Sequence, residues 1–139
     1  MSASQIILKE APPKVADFAS LRSIVGWENP ELSTIQSSID SSLFWVSLYL
    51  ENQLIGCGRV IGDDAMYFYV QDIIVNPEHQ KRGLGFQIMQ SINRYLTLHC
   101  PVGSTVGLLS AYGKEKFYEK FGFTSRDGKT LGLGMCKFI

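Results

Sequence analysis

The chain carries no surplus of charge, no paired cysteines, no long apolar run and no complete nucleotide-binding fingerprint, and each lack removes a class of function. Its 13 basic residues balance 13 acidic ones, so the broad electrostatic footprint of a nucleic-acid or membrane binder is missing, and neither is expected as a partner. Cys57, Cys100 and Cys136 are odd in number and widely spaced, with no C-x-x-C pair and no histidine at ligand distance. Reduced, mostly buried thiols are expected, and no metal. His79 and His99 lie too far apart to suggest a metal pair, and His79 is given no catalytic part. No apolar stretch approaches the roughly 18 residues of a membrane span, and no basic region precedes an apolar core at the N-terminus. A cytoplasmic location is therefore the expectation. Without repeats, low-complexity tracts or linkers, residues 1–139 read as a single domain. A domain near this size buries about two-thirds of its unfolded surface, enough for one core without staples.

What is present is an alternation of strand-like and helix-like segments. Gln5 to Lys9 is a short apolar run closed by Pro12-Pro13, read as a strand at the sheet edge. Val15, Phe18, Leu21 and Ile24/Val25 recur at helical spacing until Gly26 stops them, and a short helix is expected from Glu31 to Ile39. Leu43 to Leu50 and Leu54 to Ile61 flank the short turn Glu51-Asn52-Gln53, the pattern of a hairpin. Met66 to Val75 is β-branched and aromatic and is ended by Asn76-Pro77, since proline drives the residue before it away from helical angles. Leu84, Ile88, Ile92, Tyr95 and Leu96 then mark one face of a helix. Further strands are expected at Val106 to Leu109, at Phe123 and at Met135 to Ile139, with a helix from Lys114 to Phe121 ended by Gly122. The glycine-bearing loop from Arg126 to Gly134 reads as mobile or ligand-shaped. The sum is an α/β chain with a mixed sheet of about six to seven strands flanked by helices.

Between the central strand and the long helix lies Gln80-Lys81-Arg82-Gly83-Leu84-Gly85. Its glycines let backbone approach a ligand closely, and the first N–H groups of the helix have no partner within it, so the loop suits an anion. Lys81 and Arg82 add positive charge. The third glycine of G-x-G-x-x-G is replaced by Ile88, and no G-K-[ST] follows, so a phosphate-bearing ligand other than a dinucleotide or ATP is wanted.

Ile73-Ile74-Val75-Asn76-Pro77 followed by Gln80-Lys81-Arg82-Gly83-Leu84-Gly85 resembles the acetyl-CoA signature of the GNAT superfamily of N-acetyltransferases, R/Q-x-x-G-x-G/A. Lys116-Phe117-Tyr118-Glu119-Lys120-Phe121-Gly122-Phe123 is similar to that family's F/L-Y-E-K-x-G-F element. The resemblance covers roughly residues 44 to 125 and implies the GNAT-like acyl-CoA N-acyltransferase fold. It further implies acetyl-CoA as co-substrate, with the pyrophosphate held at Gln80, Lys81, Arg82, Gly83, Leu84, Gly85 and Phe86 and pantetheine paired to the backbone of Ile73, Ile74 and Val75. Tyr118 matches the tyrosine that serves as general acid toward the coenzyme A sulfur.

Two positions depart from the family pattern. Gln71 stands where some members place a glutamate base, and glutamine accepts no proton; the adjacent Asp72 is either the base, swung toward the acceptor by a bulge, or a hydrogen-bond partner of backbone or of a basic side chain. Ordered water is the third route. Ala111 stands where many relatives carry an asparagine that binds coenzyme A, and Tyr112 or Lys114 is the replacement contact, unless that contact is absent. The family's acceptor pocket borders the loop Gly26 to Pro30, so Trp27 and Glu28 are candidate acceptor contacts, through cation–π attraction and charge pairing to an amine, with Gln71 beside them. The activity implied is direct acetyl transfer to a primary amine of a small molecule. Its rivals are a non-catalytic acyl-CoA-binding or regulatory module and a peptide or protein acetyltransferase. Relatives often pair, so a homodimer is the assembly the resemblance suggests.

Overall fold

The computed structural model describes residues 5–139, with strands β1 (Ile6–Lys9), β2 (Phe44–Leu50), β3 (Gln53–Gly62), β4 (Tyr67–Val75) and β5 (Thr105–Gly107). The helices are α1 (Val15–Ile24), α2 (Leu32–Asp40), α3 (Leu84–His99) and α4 (Glu115–Glu119), and a 3₁₀ turn covers Pro77–His79. The strands form one sheet in the order β1-β2-β3-β4-β5, antiparallel except for the parallel pair β4–β5. The chain divides into two compact units, the first reaching to Gly107 and the second Leu108–Ile139.

Local chemistry sets the first unit's connections. Leu50 pairs with Gln53 across Glu51 (φ 50°) and Asn52 (φ 65°). Two left-handed residues in a two-residue loop give a turn whose twist matches that of the strands it joins. β1 lies at the sheet edge, as its flanking prolines imply, and β4, α3 and β5 make a parallel strand–helix–strand unit.

Side chains alternate across β3 and divide the core into two layers. Cys57 and its partner Ile74 face α1 and α2, in a cluster with Phe18, Leu21, Ile35, Ile39, Trp45 and Leu54. Gly58 faces α3: a methyl group there would lie 2.6 Å from Ile73 Cδ1, 2.7 Å from Ile88 Cγ2 and 3.0 Å from Ile92 Cδ1. The missing side chain is what lets α3 settle onto the sheet. Gly58→Ala therefore overpacks a close-fitted layer and is expected to cost about 1–3 kcal/mol, seen as a lower midpoint in thermal or urea unfolding. An unchanged midpoint would mean that α3 shifts freely, which its buried Ile88, Met89 and Ile92 argue against.

The sequence expectation of six to seven strands is corrected to five among the described residues. The strand after α3 is Thr105–Gly107, shorter than expected, and neither Phe123 nor residues 135–139 are in a strand. Met135 and Phe138 are 92% and 91% exposed. β-propensity in so short a run reflects packing against neighbouring strands, and a lone run without a ladder neighbour has nothing to hold it extended. The mixed α/β architecture itself stands.

Candidate active site

The central feature of the first unit is a break in β4. Cys57 pairs with Ile74 and Arg59 with Gln71, so the three β3 positions from 57 to 59 oppose the four β4 positions from 71 to 74, and Asp72 takes up the extra residue at φ 55°. This is a β-bulge, and it puts Gln71 and Asp72 on the same face as Arg59. On its other side β4 pairs with β5 at Tyr67, Phe68 and Tyr69 alone. Within this unit the backbone of Ile73, Ile74 and Val75 thus forms a sheet edge, the arrangement that accepts an extended ligand as an added strand.

That edge runs into the glycine loop. Asn76 ends β4 by donating its N–H to Ile55 O at 2.7 Å and accepting from Glu78 N–H at 3.0 Å. The Gln80 amide turns back to donate to Val75 O at 3.1 Å, so its side chain braces the loop. Lys81 (φ 65°) and Gly83 (φ 76°) both take left-handed angles to bring the chain to the start of the 16-residue α3. No side chain caps that start, and the N–H groups of Leu84 and Gly85 have no acceptor within the helix. Lys81 and Arg82 are exposed, and neither forms an ion pair among the described residues. Uncapped N–H groups beneath two unpaired cations fit a pyrophosphate.

Behind the bulge lies a polar network that sequence reasoning missed. The Asp72 side chain is 0% exposed. Its Oδ2 accepts from Arg59 Nε at 2.8 Å and pairs with Nη2 at 2.7 Å, while Oδ1 accepts from Arg22 Nη1 and Gln71 Nε2, each at 3.3 Å. Arg59 Nη1 goes on to Ser38 Oγ at 2.8 Å and Ser42 Oγ at 3.1 Å at the end of α2. Of the roles the sequence left open for Asp72, the geometry fits the partner of basic side chains: the bulge exists, and it turns the carboxylate inward onto two guanidiniums. The signal was there to read. Arg59 is the sole charged residue of the apolar run from Leu54 to Ile61, and Asp72 the sole one from Met66 to Val75; buried charges require partners.

Trp27 and Glu28 belong to the same network. Arg22 Nη2 donates to Glu28 O at 2.9 Å, and its guanidinium carbon sits 5.2 Å from the centre of the Trp27 ring. Trp27 remains 40% exposed, so one indole face is covered by a cation while part of the ring stays open. The interaction observed at Glu28 is through its backbone carbonyl.

In the second unit, Tyr118 lies on α4 with its ring edge-on to Phe117 and Phe123, at centroid distances of 5.1 and 6.3 Å. Partial burial raises the phenol's pKa above its usual value, so the hydroxyl keeps its proton through neutral pH and above. Gly122 (φ 90°) ends this segment and returns Phe123 N–H to Tyr118 O at 3.4 Å. Lys114 precedes α4, with its carbonyl accepting from the N–H groups of Phe117 and Tyr118. The three thiols are free. Burial, helped by the nearby Asp72 carboxylate, drives the Cys57 thiol far up, which removes it as a nucleophile.

Comparison with known proteins agrees with this geometry. The model of the acetyltransferase (GNAT) domain matches residues 40–125. Among relatives, "Uncharacterized N-acetyltransferase ycf52" of Gracilaria tenuistipitata var. liui is 30% identical over 117 residues, covering 81% of this chain and 63% of that protein. "Histone acetyltransferase TAP1" of Glycine max is 28% identical over 120 residues, covering 78% of this chain and 51% of its own length. The chain thus spans between about half and two-thirds of these relatives. Among solved structures, SA2161 from meticillin-resistant Staphylococcus aureus, a protein of unknown function called "Probable Acetyltransferase", superposes with a TM-score of 0.86 at 30% identity, covering 96% of this chain and 100% of that one. A bulged central strand with an open edge leading into an uncapped helix, together with a domain match over residues 40–125, places this chain in the GNAT acetyltransferase family.

Proposed function

We propose that the chain transfers the acetyl group of acetyl-CoA to the primary amine of a small molecule by direct attack on the thioester. The observation that carries this reading is the continuous path from the open edge at Ile73 to Val75 into the uncapped start of α3. Pantetheine would pair with that edge and the pyrophosphate would meet Lys81, Arg82 and the N–H groups of Leu84 and Gly85. The amine nitrogen forms its bond to the carbonyl carbon as the carbon–sulfur bond breaks. The acceptor's ammonium gives up its proton to ordered water, since Asp72 is committed to Arg59 and Arg22. The departing sulfur takes a proton from Tyr118, a role supported by its motif and its raised pKa, and the second proton, shed by the nitrogen as the amide forms, returns through water to the phenolate.

The supporting experiment is release of free thiol from acetyl-CoA across a panel of primary amines and short peptides. Release with one small-amine class supports the reading. Release with peptides alone would favour the second reading, peptide or protein acetylation, to which the similarity to a histone acetyltransferase points. Coenzyme A binding without release from any acceptor would leave a binding module.

The loop makes its own prediction. Hydrogen bonds to a charged group contribute about 1.5–3 kcal/mol, discounted at an exposed site. Lys81→Ala with Arg82→Ala is expected to weaken coenzyme A binding about tenfold or more in calorimetry, with more salt doing part of the same to the unmodified protein. Equal affinity in the double variant would move the pyrophosphate elsewhere.

A further inference from the structure

The proposed reading leaves unexplained why two arginines converge on one carboxylate beneath the bulge. Arg59 already has what it needs there: two contacts to Asp72 Oδ2 and hydroxyl acceptors at Ser38 and Ser42. Arg22 spreads its fork in three directions. Nη1 reaches Asp72, Nε donates to Asn29 Oδ1 at 2.9 Å, and Nη2 donates to Glu28 O. Asn29 in turn donates to Ala19 O at 2.9 Å and Ser23 Oγ at 3.0 Å on α1.

The rings complete the arrangement. Trp27 and Phe18 lie 5.2 and 5.8 Å from the Arg22 guanidinium, and Phe18 and Trp45 lie 5.7 and 5.1 Å from that of Arg59. Aromatic and cation alternate from the loop through α1 to the sheet: Trp27, Arg22, Phe18, Arg59, Trp45. Arg22 is the member that touches both the loop after α1 and the bulge residue of β4. A planar fork fixes three acceptors in one plane while its face stacks on a ring, which a lysine does not reproduce.

We propose that Arg22 is a positioning residue that couples the loop at Trp27 to Asn29 to the β4 bulge, so that the acceptor wall holds a fixed register against the thioester edge. The inference rests on the acetyl-transfer reading for its kinetic arm and on the geometry alone for its structural arm. Asp72 keeps a left-handed backbone angle, which persists only when its surroundings over-determine it. Arg59 supplies one constraint from within the sheet. Arg22 supplies the constraint that includes the loop.

The test uses Arg22→Lys and Arg22→Met in the full chain, with coenzyme A as the cofactor probe. Coenzyme A affinity is expected to stay within about twofold by calorimetry, while amide exchange across residues 27–29 speeds up about tenfold or more. With an acceptor from the amine panel, KM for the acceptor should rise about tenfold in both variants, with kcat and the KM for acetyl-CoA changed less than about threefold. Failure of lysine to rescue identifies the fork, not the charge, as the agent. Unchanged exchange and unchanged acceptor KM would overturn the proposal. So would a parallel loss of coenzyme A affinity, which would make Arg22 a support of the whole fold. If the unmodified protein binds coenzyme A but acetylates nothing, the activity reading fails while the exchange comparison still decides the coupling.

Discussion

If Tyr118 is the general acid proposed above, Tyr118→Phe is expected to lower kcat by about 10²-fold while the affinity for acetyl-CoA stays within about twofold, because in that role the hydroxyl meets charge that exists only as the carbon–sulfur bond breaks. General acids contribute about 10²–10⁴-fold, and the low end applies here: a thiol of ordinary pKa, about 8.5, already leaves tolerably well as thiolate. Burial beside Phe117 and Phe123 raises the phenol's pKa, and the sign of the pH effect follows. The acid works protonated, so its contribution is complete at neutral pH and is lost only as pH climbs past the usual phenol value of 10.0. The acidic limb of kcat/KM comes instead from the acceptor, whose ammonium must lose a proton before it can attack. In the phenylalanine variant the alkaline limb should vanish and the acidic limb should remain. Turnover unchanged by the substitution would remove Tyr118 from the reaction and return it to packing between its two phenylalanines.

The parts of the site that were legible in the sequence are those in which backbone does the work. Asn76-Pro77 must end a strand, glycine must supply the turn at position 83, and an amphipathic helix must follow; those constraints are local, and each appears in the structure where the residues demand it. The parts that were not legible depend on which residues meet across the sheet. Arg22, on α1, lies 50 positions from Asp72 and Arg59 lies 13, and no periodicity within one element reveals that pairing. The bulge is the clearest case. The sequence allows a bulge at Asp72, yet the direction the carboxylate takes is set by Arg59 on the neighbouring strand. The missing closing strands are the same lesson with the opposite sign: residues 135–139 have the composition of a strand, and a strand exists only with a neighbour to pair with.

Asp72→Asn should be among the most destabilising single changes in the first unit. It leaves Arg59 and Arg22, with side chains 10% and 19% exposed, facing an amide that neutralises neither. Removing one member of a buried ion pair costs about 3–5 kcal/mol, because the remaining charge is left desolvated. At about 3–4 °C per kcal/mol for a chain of this length, the melting temperature should fall by about 10–20 °C. A double variant separates charge from shape. Asp72→Leu with Arg59→Leu removes the most buried guanidinium together with its carboxylate, and apolar replacement of a whole buried pair is often neutral or better; it should recover a good part of the loss, with Arg22 still held by Glu28 O, Asn29 and Trp27. Full loss in both variants would mean that the bulge itself, not the buried charge, sets the stability. The single variant also decides the chemistry. If water carries off the acceptor's proton, Asp72→Asn assayed below its lowered melting temperature keeps the acidic limb of kcat/KM, set by the ammonium. If Asp72 were the base, the substitution would instead remove about 10²–10⁴-fold of the rate. The carboxylate's two guanidinium partners favour the first outcome, since a base must be free to take a proton and this one is held by the fold.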